Sequence, residues 1–204
     1  GTTKEDIKRY VRQIDRITDR YLGRDGFISY YEADGFLSEL DEILDADVRR
    51  MVDDGDYMSA FALMNHMFTV LGDVAMDDSD GGTGTLAGEI EQYWREILSK
   101  ADMDVKQQMF RWFTEHLDGS VIDYLEEYIE QVIMEEFQEK EFREPKLQFI
   151  KDMIEKSSLQ SDSWSGSYHT GKWATRYLGM IGKQKNCGIL IEEFCRKHWR
   201  NSLV

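Results

Sequence analysis

The 204-residue chain is poor in proline, in cysteine and in long apolar runs. Its single proline is Pro145, and because sheet-rich folds spend more proline on their frequent turns, the scarcity favours long helices. No apolar run approaches the ~20 residues that span a bilayer, so no membrane partner is expected. Cys187 and Cys195 lie in one predicted helix about 12 Å apart, too far for a disulfide between them. This cysteine usage predicts a cytoplasmic location.

Positive charge is scarce in the middle of the chain. The formal net charge is -15, and residues 25–169 hold 11 basic and 34 acidic side chains. Residues 1–24 carry seven basic against four acidic side chains, and residues 170–204 carry seven against two. Because phosphate backbones bind through Lys and Arg, the acidic body is not expected to bind nucleic acid directly, whereas the two basic ends remain open to it.

Apolar residues recur at three-to-four spacing along most of the chain, which is typical of helices packed on one face. About ten such segments are joined mostly by short turns, so neighbouring helices should run antiparallel. We therefore expect an all-α fold of stacked helical hairpins, as a solenoid-like or irregular array, with about 70% of residues helical.

The predicted organisation is one continuous domain with five segments. These are N-terminal helical hairpins (1–76), an acidic glycine-rich hinge loop (77–84), central helical pairs (85–156), a serine-rich loop (157–167) and a C-terminal helical pair (168–204). The chain begins at Gly1 and not at Met, from which we expect it to be a piece of a longer protein.

Polar residues that accept backbone N–H groups mark the predicted helix starts. Ser29 should begin a helix that runs to about Ala46, followed by a separate short helix that starts at Asp45 or Asp47 and ends at Asp54-Gly55. Later starts are predicted at Thr83 or Thr85 and at Ser120.

The acidic glycine-rich loop concentrates polar chemistry. Asp77, Asp78 and Asp80 are weak candidate metal ligands, since clustered carboxylates suit calcium or magnesium. The calcium-loop template fits poorly, because with Gly81 as its glycine the first and last ligand positions fall on residues 76 and 87, a Met and an Ala. The alternative is that these aspartates cap and terminate helices, where the positive end of the helix dipole favours anions.

One face of the first predicted helix is basic. Because its members recur every four residues, they lie almost one above another. They are the candidate partner-binding residues Lys4, Lys8, Arg12, Arg16 and Arg20, here called the basic ridge. The ridge either contacts an acidic partner or nucleic acid, or is a solvated face or one that contacts acidic helices of the same chain.

Several stretches resemble the helical region downstream of the zinc finger in bacterial SWIM zinc finger proteins. They are Gly-Asp-Tyr-Met-x-Ala-Phe at 55–61, Met-Asp-Asp-Ser-Asp-Gly-Gly-Thr-Gly at 76–84, Trp-Phe-Thr-Glu-His-Leu-Asp-Gly-Ser-Val-Ile-Asp-Tyr at 112–124, Gly-Lys-Trp at 171–173 and Phe-Cys-Arg-Lys-His-Trp at 194–199. The finger requires Cys-x-Cys followed by Cys-x-His, and neither pair occurs in this sequence. The resemblance therefore implies a companion domain without its zinc ligands.

No complete catalytic constellation is present, so neither catalytic residues nor a cofactor are expected. The sequence favours a non-enzymatic helical scaffold that binds other proteins. Two alternatives remain: a metal-dependent phosphate-handling enzyme that uses Asp77, Asp78 and Asp80, and a nucleic-acid accessory module that uses the basic terminal helices.

Overall fold

The computed structural model describes residues 1–118, 123–160, 164–182 and 187–199. The chain is 81% helical, with one two-stranded sheet, so the predicted all-α class is confirmed. It divides into two compact units, Gly1–Phe137 (unit 1) and Gln138–Val204 (unit 2). The acidic glycine-rich loop lies inside unit 1. None of the helices in the described ranges is long and apolar enough to cross a membrane.

Unit 1 is built from helices that pack both on their chain neighbours and on more distant elements. α1 packs on α2 and α4, and α5 packs on α2, α4 and α7, which makes the array irregular. The elements are α1 (Lys4–Tyr21), β1 (Phe27–Ile28), α2 (Tyr30–Ile43), a π-helical segment (Leu44–Val48), α3 (Arg49–Asp53), α4 (Tyr57–Asp73), β2 (Ala75–Met76), α5 (Gly82–Lys100), α6 (Met103–Glu115) and α7 (Asp123–Glu135).

Helix α1 begins at a reciprocal cap. The Thr3 hydroxyl accepts the backbone N–H of Asp6, and the Asp6 carboxylate accepts the backbone N–H of Thr3, which satisfies two otherwise unpaired donors. Ile14 and Ile17 are the residues of α1 that are buried. The polar face of the helix is therefore left to solvent.

Helix α4 lies in the core of unit 1. Its sequence is apolar nearly all round, and Leu63, Met64, Met67 and Phe68 are almost fully buried. The one buried amide on this helix belongs to Asn65, whose side-chain oxygen accepts a hydrogen bond of 3.2 Å from the Trp94 indole of α5. That bond compensates the burial of two polar groups between the helices.

The predicted break between two helices near residues 45–47 is wrong. The chain stays helical from Tyr30 to Asp53 because a π-helical segment joins α2 to α3. Neither Gly nor Pro interrupts residues 36–54, and the helical run ends only before Gly55, which has a φ of 74° that glycine adopts without strain. Ser29 precedes α2 but its side chain makes no capping hydrogen bond.

The start of α5 also differs from the prediction. The helix begins at Gly82, so Thr83 and Thr85 lie within its first turn and do not precede it. The Thr83 hydroxyl is buried and has no hydrogen-bond partner, so it does not cap the helix. Ser120, the other predicted cap, lies outside the described residues.

Two short strands were not predicted. β1 and β2 pair in parallel, with Phe27 opposite Ala75 and Ile28 opposite Met76. Two-residue strands leave no alternation to detect in a sequence. The pairing continues through the Asp77 N–H, which donates to the Ile28 carbonyl at 2.9 Å, and it fixes the entry to the acidic loop beside the end of α1.

Unit 2 contains a 3-10 turn (Lys140–Phe142), α8 (Arg143–Ser158), α9 (Trp164–Ile181) and α10 (Cys187–Trp199). Pro145 falls in the first turn of α8, where its missing N–H has no intrahelical acceptor. α8 packs closely on α9, with Trp173 buried. Both ends of the predicted serine-rich loop (157–167) are helical, because α8 runs to Ser158 and α9 begins at Trp164.

Candidate functional site

The aspartates of the acidic loop bind backbone groups of the loop and of α5. Both Asp78 carboxylate oxygens accept N–H groups at the start of α5, from Gly82 at 2.9 Å and from Thr83 at 3.0 Å. Asp77 accepts the backbone N–H of Ser79 at 3.2 Å and the Ser79 hydroxyl. Asp78 therefore caps α5, and Asp77 closes a local turn.

Asp80 contacts a different element. The Tyr30 hydroxyl, at the start of α2, donates to Asp80 at 3.5 Å, and this bond together with the Asp80 charge raises the pKa of Tyr30. Each of the three candidate ligands thus has its own partner within the loop or across it. A different set of described residues brings three carboxylates together.

Asp41, Asp45 and Glu89 form an acidic cluster in unit 1. One oxygen from each lies within 4.8 Å of the others, a spacing at which they could hold a metal ion. Asp41 lies in the last turn of α2, Asp45 lies four residues on in the π-helical segment, and Glu89 comes from α5. One Asp41 oxygen is buried without a hydrogen-bond partner. Carboxylates of this kind suit calcium or magnesium chemically.

The cluster perturbs Glu89 most. Burial, then the hydrogen bond with Asp41 and the charges of Asp41 and Asp45, raise the pKa of Glu89 from 4.5 to about 7. Two nearby anions disfavour a third charge, so Glu89 keeps its proton to a higher pH than a solvated glutamate does. π-helical segments also concentrate at functional positions, which makes this junction the strongest carboxylate site in the described residues.

Arg49, a cation of the same region, is already bound to Glu96. The Arg49 guanidinium donates two hydrogen bonds to Glu96 of α5, at 2.8 and 2.7 Å, and lies over the Tyr93 ring at 5.2 Å. The hydrogen bonds from Arg49, together with one from Lys100, lower the pKa of Glu96 to about 2, because they favour its charged form. Arg49 therefore joins the α3 segment to α5 and is bound to Glu96 while the adjacent cluster keeps its negative charge.

Sequence reasoning missed this cluster for a simple reason. Asp41 and Asp45 are one turn apart and read as an ordinary acidic helix face, while Glu89 lies 44 residues further along the chain. The available signal was the pair of aspartates at four-residue spacing beside buried Ile43 and Leu44. That signal alone does not distinguish a site from a solvated face.

All five residues of the basic ridge are exposed on α1. Lys8 and Arg12 approach only Glu5 of the same helix, at 3.8 and 3.9 Å, and Arg20 alone reaches another helix, at Glu39 of α2. Lys4 and Arg16 have no ion pair with any residue in the described ranges. The ridge thus faces solvent along most of its length.

The basic C-terminal end is arranged differently. Arg196 pairs with Glu192 of α10, and Lys197 lies 3.4 Å from Glu155 of α8. These cations are partly neutralised by acids of the same unit. Among these described cations, Lys8 and Arg12 of the N-terminal ridge pair only within their own helix, whereas Lys197 contacts another helix.

Comparison with protein-family models, with curated proteins and with solved structures finds no match to this chain.

Proposed function

We propose that this chain is a non-enzymatic helical interaction domain whose basic ridge binds an acidic surface of another protein. One observation carries the proposal: the ridge presents five exposed cations on one helix face, and four of them pair with no other helix of the described structure. Residues 25–169 are strongly acidic, so the ridge is a positive surface beside a negatively charged body. The domain would act in the cytoplasm, as the companion of a zinc finger in a longer protein.

Nucleic acid is the competing partner for the same ridge. The acidic body would repel a duplex that extends past α1, whereas an acidic helix or tail of a protein can be confined to the ridge itself. At the second basic end, Arg196 and Lys197 each pair with an acid of unit 2. An acidic protein is therefore favoured.

The test replaces Lys8, Arg12 and Arg16 together by Glu and measures binding of fluorescent poly-L-glutamate and of a short DNA duplex. We expect the intact chain to bind poly-L-glutamate more tightly than the duplex, with affinity falling as salt screens the contact. The triple variant should lose this binding. Its stability should change by about 1 kcal/mol or less, because exposed ion pairs contribute roughly 0–1 kcal/mol each.

The matched control reverses three exposed cations of unit 2, Lys140, Lys151 and Lys156, which gives the same net charge. It should keep most of the binding. Equal losses in both triple variants would show that net charge, not the ridge, is responsible and would end the proposal. Tighter binding of the duplex than of poly-L-glutamate would assign the ridge to nucleic acid instead.

A further inference from the structure

A groove in unit 1 lies between α4 and α6, and its lining includes no residue of the basic ridge or of the acidic cluster. It encloses about 490 Å³, within the range of small-molecule sites. Residues at three-to-four spacing on each helix line it, including Met58, Phe61 and Asn65 from α4 and Arg111, Trp112 and Glu115 from α6. Phe61 meets Trp112 edge-on at 5.7 Å, so the floor of the groove is aromatic.

Two hydrogen-bond donors in this floor lack acceptors. Asn65 is only 6% exposed, and its side-chain oxygen is used by Trp94, but its amide nitrogen has no partner in the described structure. The indole N–H of Trp112 likewise has none, although the ring stacks on His116 at 4.0 Å. Neither donor atom is fully buried, so both are open to an acceptor that enters the groove.

Two opposite charges at the wall of the groove are also unpaired. Arg111 and Glu115 are exposed, four residues apart on α6, a spacing at which such side chains commonly pair. The structure shows no ion pair between them, or from either to another described residue. The adjacent His66 differs, because its ring nitrogen lies 2.7 Å from Asp15. The wall therefore offers one cation and one anion about 6 Å apart along the helix.

We propose that this groove binds a free α-amino acid with a large apolar side chain. Its carboxylate would meet Arg111 and the floor donors, its ammonium would meet Glu115, and its side chain would lie on Phe61 and Trp112. A purely apolar ligand would leave the donors unpaired, and a phosphate would be repelled by the negative charge of Glu115. An amino acid satisfies the floor and both charges at once. This site goes beyond the proposed interaction function and does not depend on it.

The test titrates the full chain with L-phenylalanine, with 3-phenylpropionate, which lacks the ammonium, and with phenethylamine, which lacks the carboxylate. Two-dimensional ¹⁵N NMR follows the Trp112 indole and the Asn65 amide signals. We expect L-phenylalanine to shift both signals with a dissociation constant on the order of 1 mM, as its size allows. Each analogue should bind about tenfold more weakly, because one charge of the wall is left unpaired.

Two variants assign the charges separately. Arg111→Gln should weaken L-phenylalanine and 3-phenylpropionate but leave phenethylamine unchanged, and Glu115→Gln should weaken L-phenylalanine and phenethylamine only. Both side chains are exposed, so neither change should unfold the chain, and Arg24→Gln, at an exposed residue that does not line the groove, is the matched control. Absence of shifts up to about 20 mM L-phenylalanine would overturn the proposal. Equal binding of all three compounds would also overturn it, by showing only an unspecific apolar surface.

Discussion

At the scale of single residues, Glu89 is the side chain whose environment most conflicts with its charge. Its folded-state pKa of about 7 lies above the value of 4.5 that it has in a solvated chain. An acid with a raised pKa stabilises the fold fully below its unfolded pKa, and this contribution is lost as pH rises toward the folded pKa. Between about pH 4.5 and 7, Glu89 therefore lowers the stability of the protein progressively.

Replacing Glu89 by Gln should remove this effect. We expect the variant to be more stable than the parent at pH 8, by on the order of 1–3 kcal/mol, and the difference to shrink toward pH 5. Gln keeps the size of the side chain and mimics its protonated form, so packing is little changed. Urea unfolding at pH 5, 6, 7 and 8 measures the difference directly.

Glu42→Gln is the matched control, since Glu42 is exposed on the same stretch of α2. It should leave the pH dependence of stability as it is. Destabilisation by Glu89→Gln at every pH would contradict the electrostatic account. If about 5 mM magnesium or calcium raises the melting temperature of the parent but not of Glu89→Gln, the acidic cluster is a cation site.

At the scale of the element, the start of α5 is organised by an aspartate that precedes the helix by several residues. Asp78 reaches over the turn closed by Gly81, which has a φ of 75° suited to glycine, and binds two N–H groups of the first helical turn. The glycines of the loop let the backbone turn, and the carboxylate stabilises the helix end that results. The acidic loop thus stabilises the start of α5.

Asp78→Ala should destabilise the protein by about 1–2 kcal/mol, since two helix N–H groups lose their acceptor. Asp78→Asn retains one oxygen and should cost less. The double change of Asp77 and Asp80 to Asn should stay within about 1 kcal/mol of the parent, because Asn closes the same turns nearly as well. Chemical unfolding ranks the three variants, and a double variant less stable than Asp78→Ala would contradict the assignment of the cap.

At the scale of the whole molecule, the boundary between the two compact units falls at Phe137 and Gln138. Unit 1 contains its own core, made by α4 with residues of α1, α5 and α6, and contains the basic ridge, the acidic cluster and the groove. The basic ridge, the acidic cluster and the groove therefore all belong to the first of the two units.

The fragment 1–137 should fold without the remainder of the chain. We expect a helical circular dichroism spectrum and one cooperative thermal transition, because the unit exceeds the size at which a single core becomes sufficient. The 67-residue fragment 138–204 should be marginal, since short domains bury a smaller share of their surface. A non-cooperative melt of fragment 1–137 would show that its core depends on unit 2.

The sequence by itself determined the features that depend on neighbouring residues. Apolar spacing predicted the helices and the all-α class, and the four-residue repeat of Lys4, Lys8, Arg12, Arg16 and Arg20 placed these cations on one face of α1. The turn at Gly55 was also readable as the end of a helix. These predictions succeed because helix periodicity and turn chemistry act over a few residues.

Only the tertiary structure decided which distant residues meet. It joined Asp41 and Asp45 to Glu89, paired β1 with β2, and brought Asn65 of α4 into one groove with Trp112 of α6. It also carried the helix through residues 45–47, where local polarity had predicted a break and buried Leu44 and Val48 sustain the helix. Contacts of this kind follow from how helix faces pack, which local propensity does not specify, because packing depends on side chains remote in sequence.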